Sequence, residues 1–222
     1  MNHKLQILFS IPRSIWFNFR YLPIRQALRL PVWIAPNTHI RNMWRGGMAI
    51  INPKFNSIHI GYHVADAIDC VGSHTIINIQ KTGVFRIEHD AHIGRGAVIC
   101  VNPNGKLIVG NKFAVSGSTS FVCSKEIIVG HDVQFSWNSL VMDSDAHKIY
   151  DERGQLISNS GAITIGDKVW IAANVTILKN SVIGNNCIVG CDSLVNKPVL
   201  SDNCIIAGIP AKVVKKISKW KI

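Results

Sequence analysis

Six consecutive hexads begin at Ile165 and read IGDKVW, IAANVT, ILKNSV, IGNNCI, VGCDSL and VNKPVL. An aliphatic residue opens each one: Ile165, Ile171, Ile177, Ile183, Val189 and Val195. The fifth place is small or of modest size: Val169, Val175, Ser181, Cys187, Ser193 and Val199. A hexad of this kind is a short strand plus a tight corner. Alternate side chains of the strand point in and out. Polar residues, Gly and Asn sit between the aliphatics, as corners that need positive φ require. Three hexads close a triangular coil, and stacked coils bury a continuous narrow core.

Upstream the beat returns in pieces. Ile87 and Ile93, then Val109, Val115 and Phe121, then Val129, Phe135 and Val141 open similar segments, and Ile60-Gly61 marks an earlier turn. Apolar residues at helical spacing are absent between about Ile58 and Pro210. This pattern resembles the hexapeptide-repeat acyltransferases over roughly residues 58–217. The resemblance implies an all-β fold, a left-handed parallel β-helix, although crossovers elsewhere are right-handed. It also implies a homotrimer with active sites between subunits. The expected layout is a helical or irregular N-terminal cap over 1–57, the β-helix over 58–217 with an inserted loop at 143–162, and a short basic tail at 218–222.

The insertion follows from the arithmetic of the beat. Ile165 lies 24 residues beyond Val141, where one hexad needs six. About 18 residues are looped out, and a loop that long in a compact domain carries function or is disordered. It opens with Asp143-x-Asp145-x-His147. Alternate residues of extended chain share a side, so the three can converge. A carboxylate that fixes an imidazole makes it a general base near neutral pH. The same three groups also suit a divalent cation.

The segment resembles the D-x-D-x-H motif of bacterial polysaccharide and lipopolysaccharide O-acetyltransferases within that family. The resemblance implies that His147 is the base, that Asp143 or Asp145 orients it, and that no metal is needed. The residues themselves do not decide between the two aspartates. His89, His92 and His131 fall at outward coil positions, where a structural role is the ordinary one. No nucleophile elbow or Cys/His pair suggests a covalent acyl-enzyme. Direct transfer in a ternary complex is therefore expected, with proximity supplying much of the rate.

The stretch GCDSLVNKPVLSDNCIIAGIPAKVVKKI resembles the closing coil of the same family. By that resemblance Lys197, Lys212 and Lys215 would meet the phosphates of acetyl-CoA as co-substrate. Ala173 and Cys191 would line the pantetheine path, with Asn196 beside Lys197. Ala172 stands where the family often has Gly, which bears on acyl chains longer than acetyl. Trp170 is equally explained by coil packing.

The formal net charge is +11, and no acid precedes Asp66. Basic residues from Lys4 to Lys54, and again from Lys212 to Lys221, favour an anionic partner. No nucleic-acid-binding motif accompanies them, so no nucleic-acid partner is expected. The six cysteines form no metal or redox pattern and read as small buried residues of a reduced cytoplasmic protein. No apolar run approaches the ~18–20 residues of a membrane span, and the N-terminus lacks the pattern of a secretory signal.

Within 1–57, helices are expected at Ser14–Tyr21 and at Ile24–Leu30. Their aromatics and arginines suit either a cap over the first coil or a lipid headgroup layer, and the two roles can coexist. The expectation for the whole chain is an acetyl-CoA-dependent O-acetyltransferase of a sugar or glycan, cytoplasmic, with peripheral contact at the inner face of the membrane. The alternatives are an N-acetyltransferase of an amino sugar, nucleotide-linked or free, and a non-catalytic β-helix scaffold.

Overall fold

The computed structural model describes residues 3–62 and 73–221. Cys70 lies outside them. The chain winds into a parallel coil with three faces. The first face stacks strands from Val32–Ile34 to Cys204–Gly208 and the second runs from Thr38–Arg41 to Leu194–Val195. The third runs from Met48–Ile50 to Val182–Ile183.

Register explains why the beat is clean only near the C-terminus. Trp170 pairs with Ile188, Thr176 with Leu194 and Thr164 with Val182, so each of these coils is three hexads long with nothing left over. Earlier coils are longer, since Ala114 pairs with Gln134 and Ala91 with Phe113. The surplus residues sit at corners and break the hexad spacing there. The wider coils are filled by Phe85, Phe113, Phe121 and Phe135. Phe121 and Phe135 meet edge to face at 5.0 Å, an arrangement aromatic rings prefer.

All six hexad openers from Ile165 to Val195 are at most 1% exposed. Of the fifth places, five are buried and Val199 packs against the core from a partly buried position. The fourth place makes the corner: Lys168, Asn174, Asn180, Asn186 and Asp192 have φ between 51° and 66°. Asn and Asp tolerate this left-handed region better than other residues with a side chain. Lys168 is the exception.

The coil begins earlier than residue 58. Val32–Ile34 pairs with Ile58–Ile60, Thr38–Arg41 with Thr75–Asn78, and Met48–Ile50 with Phe85–Ile87. A full coil therefore lies inside the stretch expected to be cap, hidden because long corners at 35–37 and 42–47 abolish the beat.

The cap proper is α1 (His3–Tyr21) and α2 (Ile24–Ala27). α1 starts earlier than Ser14 and runs through Pro12, which is exposed, so a carbonyl left unbonded beside it can be solvated. α2 is shorter than expected, ending at Ala27 and not at Leu30. The face α1 turns to the coil combines Phe17, which joins the core, with polar residues. Ser14 Oγ accepts from Ile34 N at 3.0 Å, and Asn18 accepts from Val32 N and donates to Val32 O. These side chains complete the hydrogen bonds of the first strand, which has no preceding coil to pair with.

At the other end Ala211–Lys216 folds back antiparallel on Cys204–Gly208 and closes the first face. The final residues are not a free tail. Asn186 Nδ2 donates to Ser218 O at 3.0 Å, and Trp220 Nε1 donates to Lys168 O at 2.9 Å. Cys123, Cys187 and Cys204 are buried as expected, whereas Cys191 is exposed. Burial pushes the Cys187 thiol up to about 12.

Candidate active site

The insertion leaves the coil at the corner between the second and third faces, after Leu140–Met142, and rejoins at Ile163–Ile165. Across it Leu140 pairs with Thr176, a step of one three-hexad coil plus an insertion of the same length. The segment is an arm and not an irregular loop. Ile149–Tyr150 and Leu156–Ile157 pair antiparallel. Asp151 Oδ1 accepts from the amides of Arg153 and Gln155 and fixes the turn between them. At its base Gly161 N donates to Asp143 O and Asp145 N to Asn159 O.

The three residues of the D-x-D-x-H motif do different things. Asp143 is fully buried. Its carboxylate accepts from the backbone amides of Ser124 at 2.7 Å, Lys125 at 2.8 Å and Glu126 at 2.8 Å, and the Cys123 thiol lies 3.6 Å from Oδ2. Its acceptor sites are thus spent on the corner of the preceding coil. Burial, then the Asp143 carboxylate, pushes the Cys123 thiol well above its ordinary range. Asp145 forms a salt bridge with Lys179. His147 is exposed, and its ring makes no hydrogen bond to any described residue. Among the described residues neither aspartate bonds to it: the strand ends at Met142, and Ala146, with φ +62°, breaks the extended run before His147.

Lys179 is the residue that spacing alone did not bring forward. Besides Asp145 it donates to Ser158 O at 2.9 Å, tying both ends of the arm to the next coil. The signal was present, since Lys179 and Lys197 stand three hexads apart at equivalent corners. Lys179→Met is expected to free the arm, so that trypsin cleaves after Lys148 or Arg153 severalfold faster with the coil intact. Unchanged cleavage would mean that the salt bridge does not hold the arm.

The expected donor-binding residues fall into two groups. Ala173 and Cys191 stack at the corner between the first and second faces, where Asp192 N donates to Ala173 O at 3.2 Å. Lys212 and Lys215 pair with Ala207 and Ile205 on the closing hairpin of the first face. Asn196 and Lys197 lie at the other corner, one coil beyond Lys179, and both are exposed. The second face separates this group from the first. His147 shares its corner with Lys179 and Lys197, not with Ala173 or Cys191.

Other polar features lie elsewhere. On the first face His59 stacks on His92 at 5.7 Å, beside a cavity of about 420 Å³ that Asp90, Lys112 and Asp132 also line. Burial, with His59 beside it, pushes His92 down to about 4. His131 pairs with Glu88 at 2.9 Å and His89 with Asp90 at 3.3 Å, both structural contacts. Trp170 donates to Ser136 Oγ at 3.0 Å and faces Trp220 at 6.3 Å, so its ring lies on the surface and does not fill the coil. Among the described residues no cluster of three His, Cys, Asp or Glu could hold a metal ion.

The family model "Bacterial transferase hexapeptide (six repeats)" matches residues 162–197. A 24.8 kDa protein of the cps region of Klebsiella pneumoniae, described as uncharacterized, is 27% identical over 91% of this chain and 87% of its own length. The putative lipopolysaccharide biosynthesis O-acetyl transferase WbbJ of Escherichia coli K12 is 46% identical over 57 residues. That match covers 26% of this chain and only 29% of the relative. Among solved structures, the polySia-specific acetyltransferase NeuO superposes with a TM-score of 0.61 at 22% identity, over 83% of this chain and 82% of that one. The fold is the left-handed parallel β-helix that the family resemblance implied.

Proposed function

We propose that this chain, which belongs to the hexapeptide-repeat transferases, is an acetyl-CoA-dependent O-acetyltransferase. Its acceptor is a sugar hydroxyl in cell-surface polysaccharide or lipopolysaccharide biosynthesis. The observation that carries the reading is the arm: the one long described departure from the coil presents an exposed imidazole, unpartnered among the described residues, and the arm is rooted at the corner that holds Lys179 and Lys197. His147 removes the proton of the acceptor hydroxyl as its oxygen attacks the thioester carbonyl, and the thiolate of coenzyme A leaves. Lys197 meets phosphate groups of the donor, and Lys212 and Lys215 do so on the opposite wall.

The separation of the two donor groups supports a homotrimer. Pairing the corner that holds Ala173 and Cys191 in one subunit with the corner that holds His147 and Lys197 in the next would complete one site. The arm fits such an arrangement, because Ile149, Tyr150, Leu156 and Ile157 are each about half exposed and find no cover among the described residues of their own chain. A neighbouring subunit would also supply the group that orients His147. The cell-surface acceptor favours a site of action at the inner face of the membrane.

The product tests the reading. The protein is incubated with acetyl-CoA and a panel of bacterial glycans and amino sugars, and the acetylated product is treated with mild alkali. An ester that releases acetate is expected. An alkali-stable amide would instead make the chain an N-acetyltransferase. Absence of donor binding would leave a scaffold.

A further inference from the structure

We infer that the N-terminal end of the molecule, α1 and α2 with the corner 51–55, is a docking surface for an anionic phospholipid bilayer. This rests on surface geometry and not on the acyl-transfer chemistry. α1 buries Phe17 against the core but leaves most of its large apolar side chains facing outward, unlike a helix whose apolar stripe is fully covered. Ser10, Ser14 and Asn18 are buried against the first coil, whereas Leu8, Phe9, Ile15, Trp16 and Phe19 are 41–63% exposed. The stripe continues through Ile24 and Leu28, and Phe55 and Ile51 add to it from the coil. This is a contiguous apolar patch of the kind that marks an interaction site.

The charges around the patch choose the occupant. Residues 1–62 contain no acid. Arg20, Arg25, Arg29 and Lys54 are all exposed. Arg25, Arg29 and Lys54 line an open cavity of about 400 Å³ together with Ile51. Three cations around one recess beside exposed aromatics suit a headgroup phosphate with acyl chains next to it. A second copy of the chain fits poorly, since it would bring like charges together. No described helix is long and apolar enough to cross a membrane, so the contact is with the surface.

Flotation of the full chain with vesicles tests this without donor or acceptor, so its outcome is independent of the proposed activity. Vesicles of phosphatidylcholine are compared with vesicles that also contain phosphatidylglycerol. Binding to the anionic vesicles alone is expected, weakening as salt rises. Trp16→Ser/Phe19→Ser should lower partitioning at least roughly tenfold. Arg25→Gln/Arg29→Gln/Lys54→Gln should lower it roughly a hundredfold at low salt. All five side chains are exposed, so both variants should melt as the parent does. Equal binding to neutral vesicles, or binding untouched by either variant, would overturn the inference. So would a loss of oligomer mass in Trp16→Ser/Phe19→Ser, which would make the patch a protein interface. Capture of inorganic phosphate without vesicle binding would equally overturn it.

Discussion

Asp143→Ala is expected to destabilise the fold by about 3 kcal/mol, because it leaves three backbone amides and a buried site without their acceptor. For a chain of this length that is a fall in Tm of roughly 6–12 °C. Asp143 Oδ1 and Oδ2 hold the amides of Ser124, Lys125 and Glu126 at 2.7–2.8 Å, and the backbone of Asp143 also accepts from Gly161 at the base of the arm. One residue thus links the preceding coil, its own coil and the inserted arm. Asp143→Asn should be milder, since the amide keeps one oxygen but turns a donor toward donors. The check is thermal unfolding by circular dichroism. A Tm indistinguishable from the parent's would show that solvent or rearrangement replaces the carboxylate.

His147→Ala is expected to lower the acetyl-transfer rate by about 10²–10⁴, the usual contribution of a general base, or about 3–5 kcal/mol of barrier. The loss should fall on kcat with donor affinity unchanged, because the proposed role of His147 is proton removal in the transfer step and not donor binding. Its exposure also predicts a parental melting temperature. The two variants therefore separate the two aspects expected of the motif: stability from Asp143, and chemistry from His147.

The beat at Ile165–Val199 was legible because a coil of three hexads leaves no freedom at the corners. The fourth place takes up positive φ in the first five hexads, the sixth having Pro198 there, and each opener must be apolar. The first coil was illegible for the converse reason. Its strands Val32–Ile34, Thr38–Arg41 and Met48–Ile50 obey the same alternation but are joined by corners of unequal length. The length of the insertion followed from counting, whereas its hairpin rests on a two-residue pairing too short to leave a pattern. Alternation brought Asp143 and His147 together on paper. The nest of amides that claims Asp143 comes from Ser124–Glu126, a contact across coils that no local spacing records. Helix α1 was half legible: its aromatics and arginines were plain, but only packing reveals that Ser10, Ser14 and Asn18 face inward with Phe17 while Trp16 and Phe19 face outward.

The most direct measurement of the central claim is acceptor-dependent release of coenzyme A thiol from acetyl-CoA by the parent and His147→Ala, with donor affinity measured alongside. The account predicts release by the parent on at least one glycan, and its loss in His147→Ala with donor affinity kept. Release of equal rate in the two proteins would contradict it, and the arm would then have to serve some purpose other than placing a base.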